Sequence, residues 1–78
     1  MKVLDHPIRV KALTILAESV ASPQEIAEAL EIPLRKVVYH VRVLGELGFV
    51  EIVEEEKVRG SVTHFYRAVA QPLIDNSD

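Results

Sequence analysis

Apolar residues recur at helical spacing in three stretches of the chain, and then the period changes. From Pro7 to about Val20, Leu13, Leu16, Ala17 and Val20 fall at i, i+3, i+4 and i+7, which predicts a helix with one apolar face. Asp5 is placed to cap it, and Pro7 stands early, where a missing N–H costs nothing. Ser22-Pro23-Gln24-Glu25 has the form of a capping box, in which Ser22 accepts from the residue 25 N–H and Glu25 reaches back. A second helix is expected over roughly 23–30, with Ile26, Ala27 and Leu30 inward. Pro33 ends it by disfavouring an α conformation at Ile32.

A third helix is predicted from about Leu34 to Leu47, with Val37, Val41 and Leu44 as its buried stripe and Leu47 as the stripe's end. Gly48 is the expected left-handed residue after it. Gly45, inside the helix, weakens it by about 1 kcal/mol relative to alanine, so close packing or fraying is expected there. Beyond Gly48 the period falls to near 2. Phe49, Val50, Ile52 and Val53 read as one strand, and Val62, His64, Tyr66 and Ala68 alternate with Thr63, Phe65 and Arg67 as a second. Lys57-Val58-Arg59-Gly60 lies between as the turn, and Phe65 or Tyr66 closes the core beneath the hairpin. The predicted fold is mainly α with a β-hairpin, a winged helix-turn-helix of three helices and a two-stranded wing. Residues 1–70 form that domain and 71–78 a short C-terminal tail.

Charge sharpens this picture once it is taken by segment. The net charge is −3, yet residues 33–45 hold Arg35, Lys36 and Arg42 with no acid. Residues 46–59 hold five glutamates against Lys57 and Arg59. A phosphate backbone meets one face and not an average, so the acid-free stretch is the candidate nucleic-acid contact. The second of two helices joined by a tight break is the one that enters the major groove of DNA. With the stripe buried, Arg35, Lys36, Val38, Tyr39 and Arg42 point away from the core. Arg35 can donate to guanine O6 and N7 together, and Val38 can touch a thymine methyl. Lys57 and Arg59 stand near the wing tip, beside a neighbouring phosphate. His40 has two readings of equal weight, packing beside the stripe or contacting phosphate. His6 and His64 lack ligand-spaced partners and read as structural or exposed, and Glu54–Glu56 as a charged strand edge that discourages aggregation.

Other classes find less support. The chain has no cysteine, which removes disulfides, thiolate zinc sites and a cysteine nucleophile. No apolar run approaches the ~20 residues of a membrane span, no signal peptide is recognisable, and a cytoplasmic location is expected. No glycine-rich phosphate loop, paired-acid pocket or nucleophile–base set is found, so neither an enzyme nor a cofactor is expected. A winged-helix protein-interaction module, which the acidic wing and the negative net charge fit, or a phage or plasmid accessory factor such as an antirepressor or excision factor, is the alternative.

Four stretches resemble the ArsR-type family of bacterial and archaeal winged-helix regulators. They are Asp5-His6-Pro7-Ile8-Arg9-Val10, Ser22-Pro23-Gln24-Glu25-Ile26-Ala27, Tyr39-His40-Val41-Arg42-Val43-Leu44 and Gly45-Glu46-Leu47-Gly48-Phe49-Val50. Val58-Arg59-Gly60 followed by Phe65-Tyr66-Arg67 resembles the same family's hairpin, so the likeness covers about residues 4–68. It implies a transcriptional repressor, typically a homodimer, whose third helix reads double-stranded DNA through the positions of Arg35, Lys36, Tyr39, His40 and Arg42. Metal sensors of the family use cysteines or histidine–acid clusters, which are not apparent here. Members usually add a C-terminal helix to the dimer. The short sequence after the wing leaves a reduced dimer, a fragment or a monomer open.

Overall fold

The computed structural model describes residues 6–69. Three helices, α1 (Pro7–Glu18), α2 (Pro23–Leu30) and α3 (Leu34–Glu46), precede an antiparallel hairpin of β1 (Val50–Val58) and β2 (Ser61–Ala68). This is the expected winged helix-turn-helix. The core lies where the helices meet the base of the hairpin. Ile26, Val37, Val41 and Leu44 are its largest fully buried side chains, each contributing about 1.5–3 kcal/mol by leaving water.

The start of α1 is capped by His6, whose Nδ1 accepts from the Ile8 N–H at 3.3 Å. Asp5, the expected cap, lies outside the described residues, as does the expected tail over 71–78. The inner face of α1 follows the expected one at Leu16 and, in part, Leu13, but not at Ala17 and Val20. Ala12 and Leu16 are buried with Leu13 and Ile15 partly so, while Ala17 and Val20 are exposed. Apolar residues occur nearly all round α1, so spacing alone permits more than one stripe. The packing selects the Ala12–Leu16 line. The chain then leaves the helix through an extended Ser19, which carries Val20 away from the face it would have continued.

Between the helices, the capping box forms as the spacing requires. The Ser22 N–H donates to Glu25 Oε1 at 2.9 Å, and the Glu25 N–H donates to Ser22 Oγ at 3.2 Å. Glu31 makes the reversal into α3. Its φ of 58° and ψ of 46° are left-handed, and the Ile32 N–H donates back to the Ala27 carbonyl at 3.1 Å. Pro33, with φ −60° and ψ 139°, is the first residue before α3 rather than the sole cause of the break. A glutamate in this conformation is strained, because its Cβ crowds its own carbonyl.

At the other end of α3, Gly48 is left-handed at φ 84°. The Gly48 N–H donates to Gly45 O at 3.1 Å and the Phe49 N–H to Leu44 O at 2.9 Å, a Schellman motif that stops the helix. That stop leaves Leu47 exposed at 47%, outside the stripe it was expected to end. Gly45 neither frays nor packs closely, since α3 runs through it and an added Cβ would stand 3.9 Å from Val50 Cγ2.

The hairpin turns through Arg59 and Gly60 alone, with φ 52° and 83°, so Lys57 and Val58 belong to β1. Two successive left-handed residues match the twist of paired strands. A bulge at Val53 shifts the register, so Ile52 faces Tyr66 while Glu54 faces Phe65 and Glu55 faces His64. The base is anchored twice. Ala21, between α1 and α2, exchanges backbone hydrogen bonds with Tyr66 at 3.1 and 2.9 Å, and the Val69 N–H donates to Phe49 O at 2.9 Å. Tyr66, not Phe65, packs on the core.

A polar contact ties α1 to α3. His40 is only 7% exposed, its Nδ1 accepts from Arg9 Nε at 3.1 Å, and its ring lies against His6 with centroids 4.1 Å apart. Burial, then the neighbouring His6, Arg9 and Lys36, hold its pKa below the ordinary 6.5. The fold therefore favours neutral His40, and the unfolded chain takes up the proton first. The stability tied to neutral His40 is complete above about pH 6.5 and is lost as pH falls below it. Urea unfolding should show stability declining from pH 7.5 towards 5.5, with a shallower decline in His40→Asn. An equal decline in both proteins would contradict this assignment. Relief of the strained reversal should make Glu31→Gly more stable by roughly 0.5–1 kcal/mol, measured as a shift in the urea midpoint.

Candidate nucleic-acid interface

The buried stripe of α3 sets the direction of every other side chain on it. Val37, Val41 and Leu44 are almost wholly enclosed, and His40 lies on the same side. At helical spacing the opposite row is Arg35, Tyr39, Arg42 and Glu46, all exposed. Three of the four suit a nucleic-acid surface, and the acid stands last, at the end away from the helix start. Lys36 is exposed on the flank nearer α1, close enough to His40 to oppose its protonation. Val38 is half-buried on the other flank, towards the hairpin.

The structure thus presents Arg35, Lys36, Tyr39 and Arg42 together, with Val38 beside them. It does not present His40, whose ring is held between His6, Arg9 and Tyr39; the Tyr39 and His40 rings meet edge to face at 5.0 Å. Of the two readings of His40, burial favours the packing one. Its contact with Arg9 spans thirty-one residues of sequence, and no local spacing signals it.

The start of α3 differs from that of α2. Pro33 offers no side chain to cap it, and Leu34, Arg35 and Lys36 are all exposed. The end carrying two cations is therefore also the positive end of the helix dipole.

The wing contributes charge of both signs. Lys57 and Arg59 are exposed at its tip, where Lys57 pairs with Val62 across the hairpin. On the sheet, Arg67 Nε pairs with Glu51 at 3.1 Å and His64 Nε2 with Glu55 at 3.2 Å. All of β1 beyond Val50 is exposed. Between α3 and β2 lies an open groove of roughly 370 Å³, walled by Leu34, Val38 and Arg42 on one side and Val62, His64 and Tyr66 on the other. No local pattern in the sequence signals this groove, because strand alternation puts His64 on a face without saying what the face meets. Among the described residues no three histidine or acidic side chains gather as a metal site, and no helix is long and apolar enough to cross a membrane.

A family model described as a helix-turn-helix domain matches residues 4–53. Comparison with curated proteins returns no match. Among solved structures, the chain is similar to the transcriptional repressor BigR from Xylella fastidiosa, at 29% identity and a TM-score of 0.74, over 88% of this chain and 63% of that one. It is similar in fold to reduced HlyU from Vibrio cholerae, at 23% identity and the same TM-score of 0.74, over 88% of this chain and 67% of that one. The chain spans about two thirds of the length of these structures. With three helices, a reversal placing the third beside the second, and a wing on the core, the chain belongs to the helix-turn-helix domain family of transcription regulators, in its ArsR-type winged form.

Proposed function

We propose that this protein represses transcription by occupying an operator in double-stranded DNA, with α3 in the major groove and the wing against an adjacent backbone. The observation that carries this reading is the exposed, acid-free row at the start and middle of α3, where Arg35, Tyr39 and Arg42 align opposite a buried stripe. Arg35, at the uncapped start, is assigned to a base edge, where its planar fork can donate twice to guanine. Lys36 and Arg42 neutralise phosphates, Tyr39 donates its hydroxyl to phosphate or base, and Val38 meets an apolar base edge. Lys57 and Arg59 reach a phosphate beyond the wing tip. His40 acts indirectly, by holding α3 against α1. The action is binding rather than catalysis, and its place is the cytoplasm.

A second reading, a protein-interaction module, is favoured by one observation. The wing is acidic along Glu54–Glu56, and β1 is exposed beyond its first residue. The two readings part on salt. Displacing counterions from about three or four phosphates gives a log–log salt slope of roughly −2.7 to −3.6, whereas an apolar protein interface has little slope.

Fluorescence anisotropy with a random-sequence duplex pool at two salt concentrations, followed by sequencing of the bound fraction, tests the proposal. Salt-sensitive binding with an enriched motif is expected, and no binding at low salt would overturn it. A protein binding as a dimer enriches an inverted repeat with half-sites about one turn, ~34 Å, apart. On the enriched motif, Arg35→Ala should cost about 1–3 kcal/mol and relax preference at one position. Lys36→Ala should weaken all sequences alike and reduce the salt slope by about 1. An Arg35→Ala protein with full affinity and selectivity would refute its assignment to a base edge.

A further inference from the structure

His64 stands on the β2 wall of the groove, opposite Arg42 on α3. Its side chain is 40% exposed, and Nε2 lies 3.2 Å from Glu55 Oε2. The pairing depends on the bulge at Val53, which brings Glu55 rather than Glu54 opposite His64. The charged and titratable groups around the ring are Glu55 and, further along the same sheet face, Lys57 on β1, Tyr66 on β2 and Arg42 on α3. From α2, the uncharged Ser22, Pro23 and Gln24 close the groove.

With α3 in the major groove and the wing against the adjacent backbone, as proposed above, one bordering strand of the duplex passes between them. The neutral imidazole has a single N–H, and Glu55 occupies it at Nε2, leaving Nδ1 as an acceptor that a phosphate oxygen cannot use. The imidazolium has two N–H groups and can serve both anions at once. Glu55 therefore sets a condition on the contact: a phosphate gains His64 as a donor only together with a proton.

We propose that this groove seats a backbone phosphate of bound DNA between Arg42 and His64, and that His64 takes up one proton from solvent as the phosphate enters. Nε2–H stays on Glu55 while Nδ1–H turns to the phosphate oxygen. This rests on the DNA-binding reading above and adds a residue and a proton to it. Because the bound state holds one proton more than the free protein, affinity is greatest at low pH and falls as pH rises. One linked proton limits the change to about tenfold per pH unit.

The test is anisotropy titration of the full chain with a random-sequence duplex pool at one low ionic strength, from about pH 8 to pH 6, with circular dichroism confirming the fold throughout. Wild-type affinity is expected to rise roughly three- to tenfold across that range. His64→Gln should flatten the rise and His40→Asn should keep it. Glu55→Gln, which frees the ring from the competing carboxylate, should bind more tightly than wild type at pH 8 and respond less to pH. Salt-sensitive binding that is indifferent to pH, or a rise that survives in His64→Gln, would overturn this proposal and leave the DNA-binding reading intact. Failure to bind at any pH would overturn both.

Discussion

The rotation of α3 about its own axis governs the rest of this molecule. Three side chains, Val37, Val41 and Leu44, enter the core at spacings of four and three, and none retains more than 1% of its surface. Turning the helix enough to bring Arg35 or Arg42 inward would expose this whole stripe and bury a cation without a partner. Each aliphatic side chain would lose about 1.5–3 kcal/mol, and the buried charge would cost more. The outward row is therefore held by the inward one. His40 refines the same constraint, since its hydrogen bond from Arg9 ties α3 to α1 by a directional contact, where apolar packing alone would tolerate small rotations.

The wing is positioned at its base, by backbone hydrogen bonds and by the packing of Val50, Tyr66 and Ala68 on the core. Most of the hairpin stands clear of the core, with only Val50 of β1 fully enclosed. Its direction comes from the Schellman turn that launches Phe49, from the exchange between Ala21 and Tyr66, and from the bond joining Val69 to Phe49. These fix the base on both sides, so the groove between α3 and β2 is a consequence of the chain path. The bulge at Val53 then decides which glutamate meets His64. One added residue in a strand thus changes the electrostatics of the groove without changing its walls.

Much of this was legible in the sequence. The capping box at Ser22–Glu25, the α3 stripe and Gly48 each rest on a local rule, and each formed as its spacing required. The outward row followed from the stripe by geometry. Most of what local rules missed depends on contacts between distant residues. The stripe of α1 was legible at Leu16 but ambiguous beyond it, because its sequence is apolar on most sides and only packing could select Ala12 over Ala17 and Val20. The burial of His40 depends on Arg9 and His6, and the groove depends on how the wing is carried back over α3. The reversal at Glu31 was hidden for a different reason, because glutamate carries no signal for a left-handed residue.

The central claim is that the outward row of α3, together with the groove beside it, is the surface that meets DNA. Amide chemical-shift mapping of the labelled protein during titration with a duplex tests this most directly, since it reports position without disturbing any residue. The account predicts shifts concentrated at Leu34–Arg42, with a second group at Val62–His64 and at Gln24, while the outward side of α1 stays unchanged. Shifts confined to the outer edge of β1 or to α1, with α3 silent, would place the interface elsewhere and contradict it.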